Sequence, residues 1–404
     1  MANVAGQLGS ATISGAERQE VLVPLDRTAT GKVHFEVLDG LRGTAAMLVV
    51  LFHIQGITVF WDGAKVILHH APLAVDFFFA LSGFVIGYAY DDRWADGDRR
   101  GRMTIREFLT LRLIRLHPLV ILGVLLGFAS YLFDPLAGSA QDLPLRNVLL
   151  ALVLGLLLLP APAMPNRWTD THPLNGPCWS LLQEYIGNLA YAFVLRHLST
   201  RALAIVAVVS GAVLVGTVTH LGSIDQGSAW DSFWMAPVRL CFPFVTGLWL
   251  YRVCDRLPAI RLGWLPLTAI MVAAMTFPTL PELGGIKLNG LYEAACIVLL
   301  FPFIIVAGSH SEARGGVLGR GMMGRGMMAL CKASGRISYP IYITHFPFLY
   351  IWMNYVANGN PSAGQRLGVG LALIPLLLGV AWAAYTFWDE PIRRRLRAGM
   401  AARR

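Results

Sequence analysis

The amino-acid sequence predicts an all-α, polytopic membrane protein of about ten transmembrane helices, with one re-entrant or interfacial segment near residues 147–160. Composition is the first reason. Hydrophobic residues make up 55% of the chain and charged residues only 14%, whereas a soluble domain carries about a quarter charged. The second is patterning: apolar runs recur along almost the whole length between short polar loops. The third is the basic residues, which crowd alternate loops.

Eleven apolar segments stand out, near 43–60, 72–90, 115–133, 147–160, 179–196, 202–220, 236–253, 263–278, 290–307, 337–355 and 367–388. Arg18, Arg27, Lys32 and Arg42 precede the first. Arg93, Arg99, Arg100, Arg102, Arg106, Arg112 and Arg115 follow the second. Arg196 and Arg201 separate the fifth from the sixth, and Arg252, Arg256 and Arg261 the seventh from the eighth. Arg314, Arg320, Arg325, Lys332 and Arg336 precede the tenth, while Arg393, Arg394, Arg395, Arg397, Arg403 and Arg404 close the chain. By the positive-inside rule these clusters and both termini face the cytoplasm. The opposite loops keep Lys65, Arg146, Arg167, Lys287 and Arg366, and Arg239 lies within a span. Membrane orientation thus accounts for the net charge of +9, and nucleic-acid binding is not expected.

Two cytoplasmic termini require an even number of crossings. The segment at 147–160 is the shortest, about 14 residues where a spanning helix needs about 20, and both its flanks fall outside. It is therefore the one expected to re-enter the membrane or lie in its interface.

The chain divides into an N-terminal cytoplasmic tail over 1–35, a membrane domain over 36–390 and a basic cytoplasmic tail over 391–404. The first of these lacks an apolar h-region, so no cleaved signal peptide is expected. Five scattered cysteines without CxxC spacing suggest neither a disulfide framework nor a zinc site. The pair His69-His70 has no neighbouring ligand set, and no metal is expected. Gly315–Leu330 is glycine-rich but lacks the GK[ST] ending of a phosphate-binding loop.

The stretch LDGLRGTAAMLVVLFH, Leu38–His53, carries ionisable groups at both ends of an apolar run, and such groups are costly in hydrocarbon. Arg42 and His53 are separated by about 1100° of helix, some 20° past three turns, and by roughly 16 Å of rise. They share a face, with Arg42 at the mouth and His53 deeper. A cation at the mouth suits phosphates and a buried histidine suits proton transfer or nucleophilic attack. Interfacial anchoring by Arg42 and an interhelical hydrogen bond from His53 are the plainer alternatives.

This stretch resembles the first-helix signature of the acyltransferase-3 family, integral membrane enzymes that O-acylate sugars and other hydroxyl acceptors. The signature is a basic residue, ten residues, then a histidine. The resemblance continues in order through AVDFFFALSGFVIG (Ala74–Gly87), FLTLRLIRLHPLV (Phe108–Val120), WSLLQEYIGN (Trp179–Asn188), VRLCFPFVTG (Val238–Gly247) and SGRISYPIYITHFPF (Ser334–Phe348). Together these motifs span residues 38–348. Some relatives carry a further esterase-like domain, which is not expected here.

The resemblance implies that cytoplasmic acyl-CoA, acetyl-CoA in the first instance, is a co-substrate rather than a resident cofactor. It also implies a surface, secreted or lipid-linked glycan hydroxyl as acceptor, in a multi-pass bacterial-type inner membrane. His53, as base or as transient acyl acceptor, is the first of the expected catalytic residues, with Arg42 and Glu184 as the others. Arg42, Arg112 and Arg115 are expected at the CoA phosphates, with Arg42 also orienting the thioester. Glu184 can bond acceptor hydroxyls, orient a base or pair with Arg239. Asp76, Ser82, Arg239, Tyr339 and His345 are expected around the cavity; Asp76 also suits a helix N-terminus, and Ser82 with Gly83 suits close helix packing. Ser82 has no G-x-S-x-G elbow, so it is not read as a nucleophile. His117, Glu293 and Glu390 are read as structural. The rival is a secondary transporter or flippase using His53, Glu184 and Arg239 as a pathway, although no duplication between the halves is visible. Oligomeric state is not legible.

Overall fold

The computed structural model describes residues 34–94, 103–137, 143–311 and 322–401. The N-terminal tail to residue 33, Arg99, Arg100, Arg102, Arg314, Arg320, Arg403, Arg404 and the glycine-rich run over 315–321 lie outside the described residues. The protein is an all-α polytopic membrane protein. Its helices are α1 (Glu36–Thr58), α2 (Leu73–Tyr90), α3 (Ile105–Leu132), α4 (Leu145–Leu156), α5 (Cys178–Phe193), α6 (Thr200–Leu221) and α7 (Met235–Val253). They continue with α8 (Trp264–Met275), α9 (Leu288–Ala295), α10 (Phe301–His310), α11 (Met322–Gly359), α12 (Ala363–Ala383) and α13 (Glu390–Ala401). π-helical turns over Cys296–Leu300 and Ala384–Asp389 join α9 to α10 and α12 to α13. A two-stranded hairpin, Glu282–Leu283 with Ile286–Lys287, is the only sheet among the described residues.

All eleven apolar segments fall on helices. Among the described residues six helical stretches are long and apolar enough to cross a membrane: Glu36–Thr58, Leu73–Trp94, Ile105–Leu132, Thr200–Leu221, Leu288–His310 and Ala363–Met400. α1, α3 and α11 begin earlier than their apolar runs. The basic C-terminal stretch is helical to Ala401.

α4 has 12 residues, a length of about 18 Å at 1.5 Å per residue, too short for a bilayer core of about 30 Å. Val148, Ala151 and Gly155 form its buried stripe, while Leu145, Leu149, Leu150 and Val153 are exposed. Such a helix has one apolar face for protein and another for lipid.

The segment after α4 departs from expectation. Placed on the outer surface by its charge, Arg167 is instead fully buried, as are Thr171, His172 and Asn175. Its guanidinium stacks on the rings of Tyr350 and Tyr131, at 4.3 and 5.0 Å, so aromatic faces replace water around the cation. α5 consequently starts inside the protein rather than at its surface.

α1 is apolar all round and therefore buried; it packs most extensively on α11, as α2 does on α7. The α2–α7 contact rests on glycine. A Cβ on Gly83 would strike the Phe244 carbonyl, and one on Gly247 the Ala80 carbonyl. Neither backbone can retreat without parting the helices. Valine at Gly83 or Gly247 is expected to cost roughly 1–3 kcal/mol, read as a lower unfolding midpoint in detergent. Gly379→Ala, where nothing lies within 4 Å, should leave that midpoint unchanged or slightly raised.

Candidate active site

Two cavities lie side by side between these helices. The first, of about 160 Å³, is lined by Arg42 from α1, Ser82 from α2, Arg112 and Arg115 from α3, Glu184 from α5 and Tyr339 from α11. Arg112 Nη2 donates to Glu184 Oε1 at 2.8 Å, and the Ser82 hydroxyl donates to the same oxygen at 3.1 Å. Arg42 lies 3.3 Å from Asp39. Arg115 makes no ion pair within 4 Å among the described residues, although Asp389 lies near enough to interact with it electrostatically. Three arginines and one glutamate thus line this arginine chamber. Tyr339 donates to the Leu116 carbonyl at 2.7 Å.

The second cavity, of about 300 Å³, is lined by His53, Asp170, Asp225 and Arg239, with Trp61, Trp168 and Trp179 among its aromatic walls. His53 Nδ1 lies 2.8 Å from the Val49 carbonyl. A carbonyl only accepts, so Nδ1 carries the hydrogen and the neutral ring keeps its lone pair on Nε2. His345 is held the same way, Nδ1 3.0 Å from the Ile341 carbonyl. Its ring centre lies 5.6 Å from that of His53. Trp61 and Trp168 adopt left-handed backbone conformations, φ 56° and 47°, which costs each roughly 1–2 kcal/mol. Strain of this kind concentrates at functional sites.

Several expectations change shape here. Arg42 and His53 do not line a single cavity: they face adjoining chambers that share Val75 and Tyr342, because roughly 16 Å of helix rise separates them. Glu184 does not pair with Arg239. It is taken by Arg112, while Arg239 Nη2 and Nε donate to Asp76 at 2.6 and 3.3 Å. The deep start of α5 carries Glu184 away from the end of α7 that holds Arg239. Ser82 serves Glu184 rather than helix packing, which falls to Gly83. His345 stands beside His53, and Tyr339 belongs to the arginine chamber. Glu293 is structural as expected, yet fully buried. It holds His70 at 2.8 Å and the Ile224 amide at 2.6 Å.

Sequence reasoning missed Asp170, Asp225, Tyr342, Ser180 and the chamber tryptophans. A polar run with two prolines and a glycine, DTHPLNGPCWS, was the available signal for Asp170, and it reads as an ordinary loop until the chain folds inward. Trp179, Ser180 and Tyr342 stand inside the Trp179–Asn188 and Ser334–Phe348 motifs, where nothing local singles them out. Burial pushes the Asp170 carboxyl up to about 7, with Asp225 adding repulsion against the lowering hydrogen bond from Tyr350 at 3.1 Å. In the same dry segment burial pushes His172 down to about 4.

Residues 35–386 match the acyltransferase-3 family model, an acyltransferase domain. The chain is 26% identical over 395 residues to the protein named Acyltransferase MdmB from Streptomyces mycarofaciens, across 90% of this chain and 93% of that one. It is 34% identical over 196 residues to the Rhizobium radiobacter protein named Protein 2 in picA locus, across 45% of this chain and 93% of that protein. No solved structure gives a significant match.

The raised Asp170 carboxyl links stability to pH. The folded state binds this proton more tightly than the unfolded chain, whose carboxyl titrates near 3.8. The stabilisation is complete below that value and is lost as pH rises through about 7. Across that window Asp170 lowers the unfolding midpoint as pH rises, while His172, depressed from 6.5 to about 4, raises it, so Asp170→Asn should shift the slope of midpoint against pH upward from that of the wild type.

Proposed function

The chain belongs to the acyltransferase-3 family, and on that premise we propose that it is an inner-membrane O-acyltransferase with both termini in the cytoplasm and ten crossings. It moves an acyl group, acetyl in the first instance, from acyl-CoA to a glycan hydroxyl. The arginine chamber is the donor mouth, where Arg42, Arg112 and Arg115 hold the CoA phosphates. The tryptophan-lined chamber takes the acceptor, with Asp170 and Gln226 to bond its hydroxyls.

One observation carries this reading. His53 presents a tautomer-defined Nε2 lone pair to a chamber that adjoins an arginine-lined one. In the reaction Nε2 takes the proton of the acceptor hydroxyl as its oxygen attacks the thioester carbonyl. The tetrahedral intermediate collapses, the C–S bond breaks, and His53 returns the proton to the departing thiolate. The transporter alternative is less well supported, since Glu184 and Arg239 are each committed to a partner, Arg112 and Asp76.

His53→Ala is expected to lower transfer roughly 10²–10⁴-fold while expression and membrane insertion are kept. Retention of near-wild-type transfer would remove His53 from the chemistry. Arg42→Ala should raise the KM for acyl-CoA about tenfold or more with kcat largely kept. Both are read from thiol release and label transfer by purified protein in detergent.

A further inference from the structure

Among the described residues only two line both chambers, Val75 on α2 and Tyr342 on α11. The Tyr342 hydroxyl lies 2.7 Å from Ser180 Oγ, and Ser180 donates its own hydrogen to the Pro177 carbonyl at 3.0 Å. Having given that hydrogen away, Ser180 accepts from Tyr342. Ser180 faces the arginine chamber and Pro177 the other, so this hydrogen-bonded chain runs through the partition itself. The Tyr342 ring is set edge-on to Phe78, at 5.7 Å between centres. Val75, the other residue common to the two linings, is branched at Cβ and has little rotamer freedom with which to yield.

We infer that Tyr342 selects the donor by the width of its acyl group, admitting straight-chain acyl thioesters between itself and Val75 and stopping aromatic or branched ones. The inference rests on the reading of the arginine chamber as the donor mouth. If CoA is held there, its thioester reaches His53 only past these two side chains. The thioester end of CoA is an unbranched run of methylenes and amides. A passage that admits it admits an unbranched acyl chain of equal width. Length is a weaker criterion at a constriction, because a chain threads through one segment at a time. A ring or a branch beside the carbonyl has no such route.

The test uses the purified full-length protein in detergent and follows CoA thiol release, with water as acceptor, from acetyl-, butanoyl-, 2-methylpropanoyl- and benzoyl-CoA. The wild type should turn over the two straight-chain donors faster than benzoyl-CoA by roughly tenfold or more, with the 2-methylpropanoyl donor between them. Tyr342→Ala should bring the butanoyl-to-benzoyl ratio toward one. Tyr342→Phe, which cuts only the Ser180 tether, should move it part of the way. Val75→Ala widens the passage from the other side and gives the same test if Tyr342→Ala does not fold. A wild-type ratio near one, or a ratio that survives these substitutions in protein eluting as the wild type does, overturns the width selection alone. Absence of thiol release from every donor overturns the acyl-CoA reading and this inference with it.

Discussion

The ion pair between Asp76 and Arg239 is the interaction around which the candidate site is built. Both residues are essentially without solvent, at 0% and 1% exposure. Either charge alone there would cost several kcal/mol, so neither helix can leave the other. Arg239 uses its remaining donors on the Gln226 and Pro72 carbonyls, at 2.8 and 2.9 Å. One guanidinium therefore ties together α2, α7 and the loop between α6 and α7. Glu293 grips the same loop from the other side through the Ile224 amide. A loop that would otherwise lie free in solvent becomes a wall of the tryptophan-lined chamber.

The same rule, that buried charge must be matched, sorts the two chambers by chemistry. Where the histidine stands, Arg239 is neutralised by Asp76, and the chamber offers an imidazole nitrogen and the carboxyl groups of Asp225 and of Asp170, the latter bonded by Tyr350. Where Arg42, Arg112 and Arg115 stand, a single lining glutamate meets three guanidiniums, assisted by Asp39 beside Arg42 and by Asp389 near Arg115. An anionic donor suits the second and a polar acceptor the first. Tyr342 and Val75 divide them.

Backbone geometry aims the imidazoles. His53 and His345 both bond back to the carbonyl four residues earlier on their own helix. This bond sets the tautomer without any second side chain. It leaves Nε2 as the basic nitrogen of each ring, and the packing of α1 against α11 brings the two rings side by side.

Much of this was legible in the sequence. Hydropathy and the sidedness of arginine are local properties, recorded residue by residue, and they marked the apolar helices, the all-α class and the odd short segment that became α4, but not the basic helix α13. The 100° helical step placed Arg42 and His53 on one face, and the ordered motifs pointed to the family. Pairings across helices were not legible, because which carboxylate meets which guanidinium depends on relative depth and on close approach at residues such as Gly83 and Gly247. Glu184 joins Arg112 rather than Arg239 for that reason. The inward fold of the segment before α5, which supplies Asp170 and Trp168 and buries Arg167 between two tyrosines, was likewise decided by tertiary packing alone. A polar loop rich in proline and glycine looks the same in sequence whether it meets water or a protein interior, and only aromatic faces and hydrogen bonds from distant helices make the interior the better solvent.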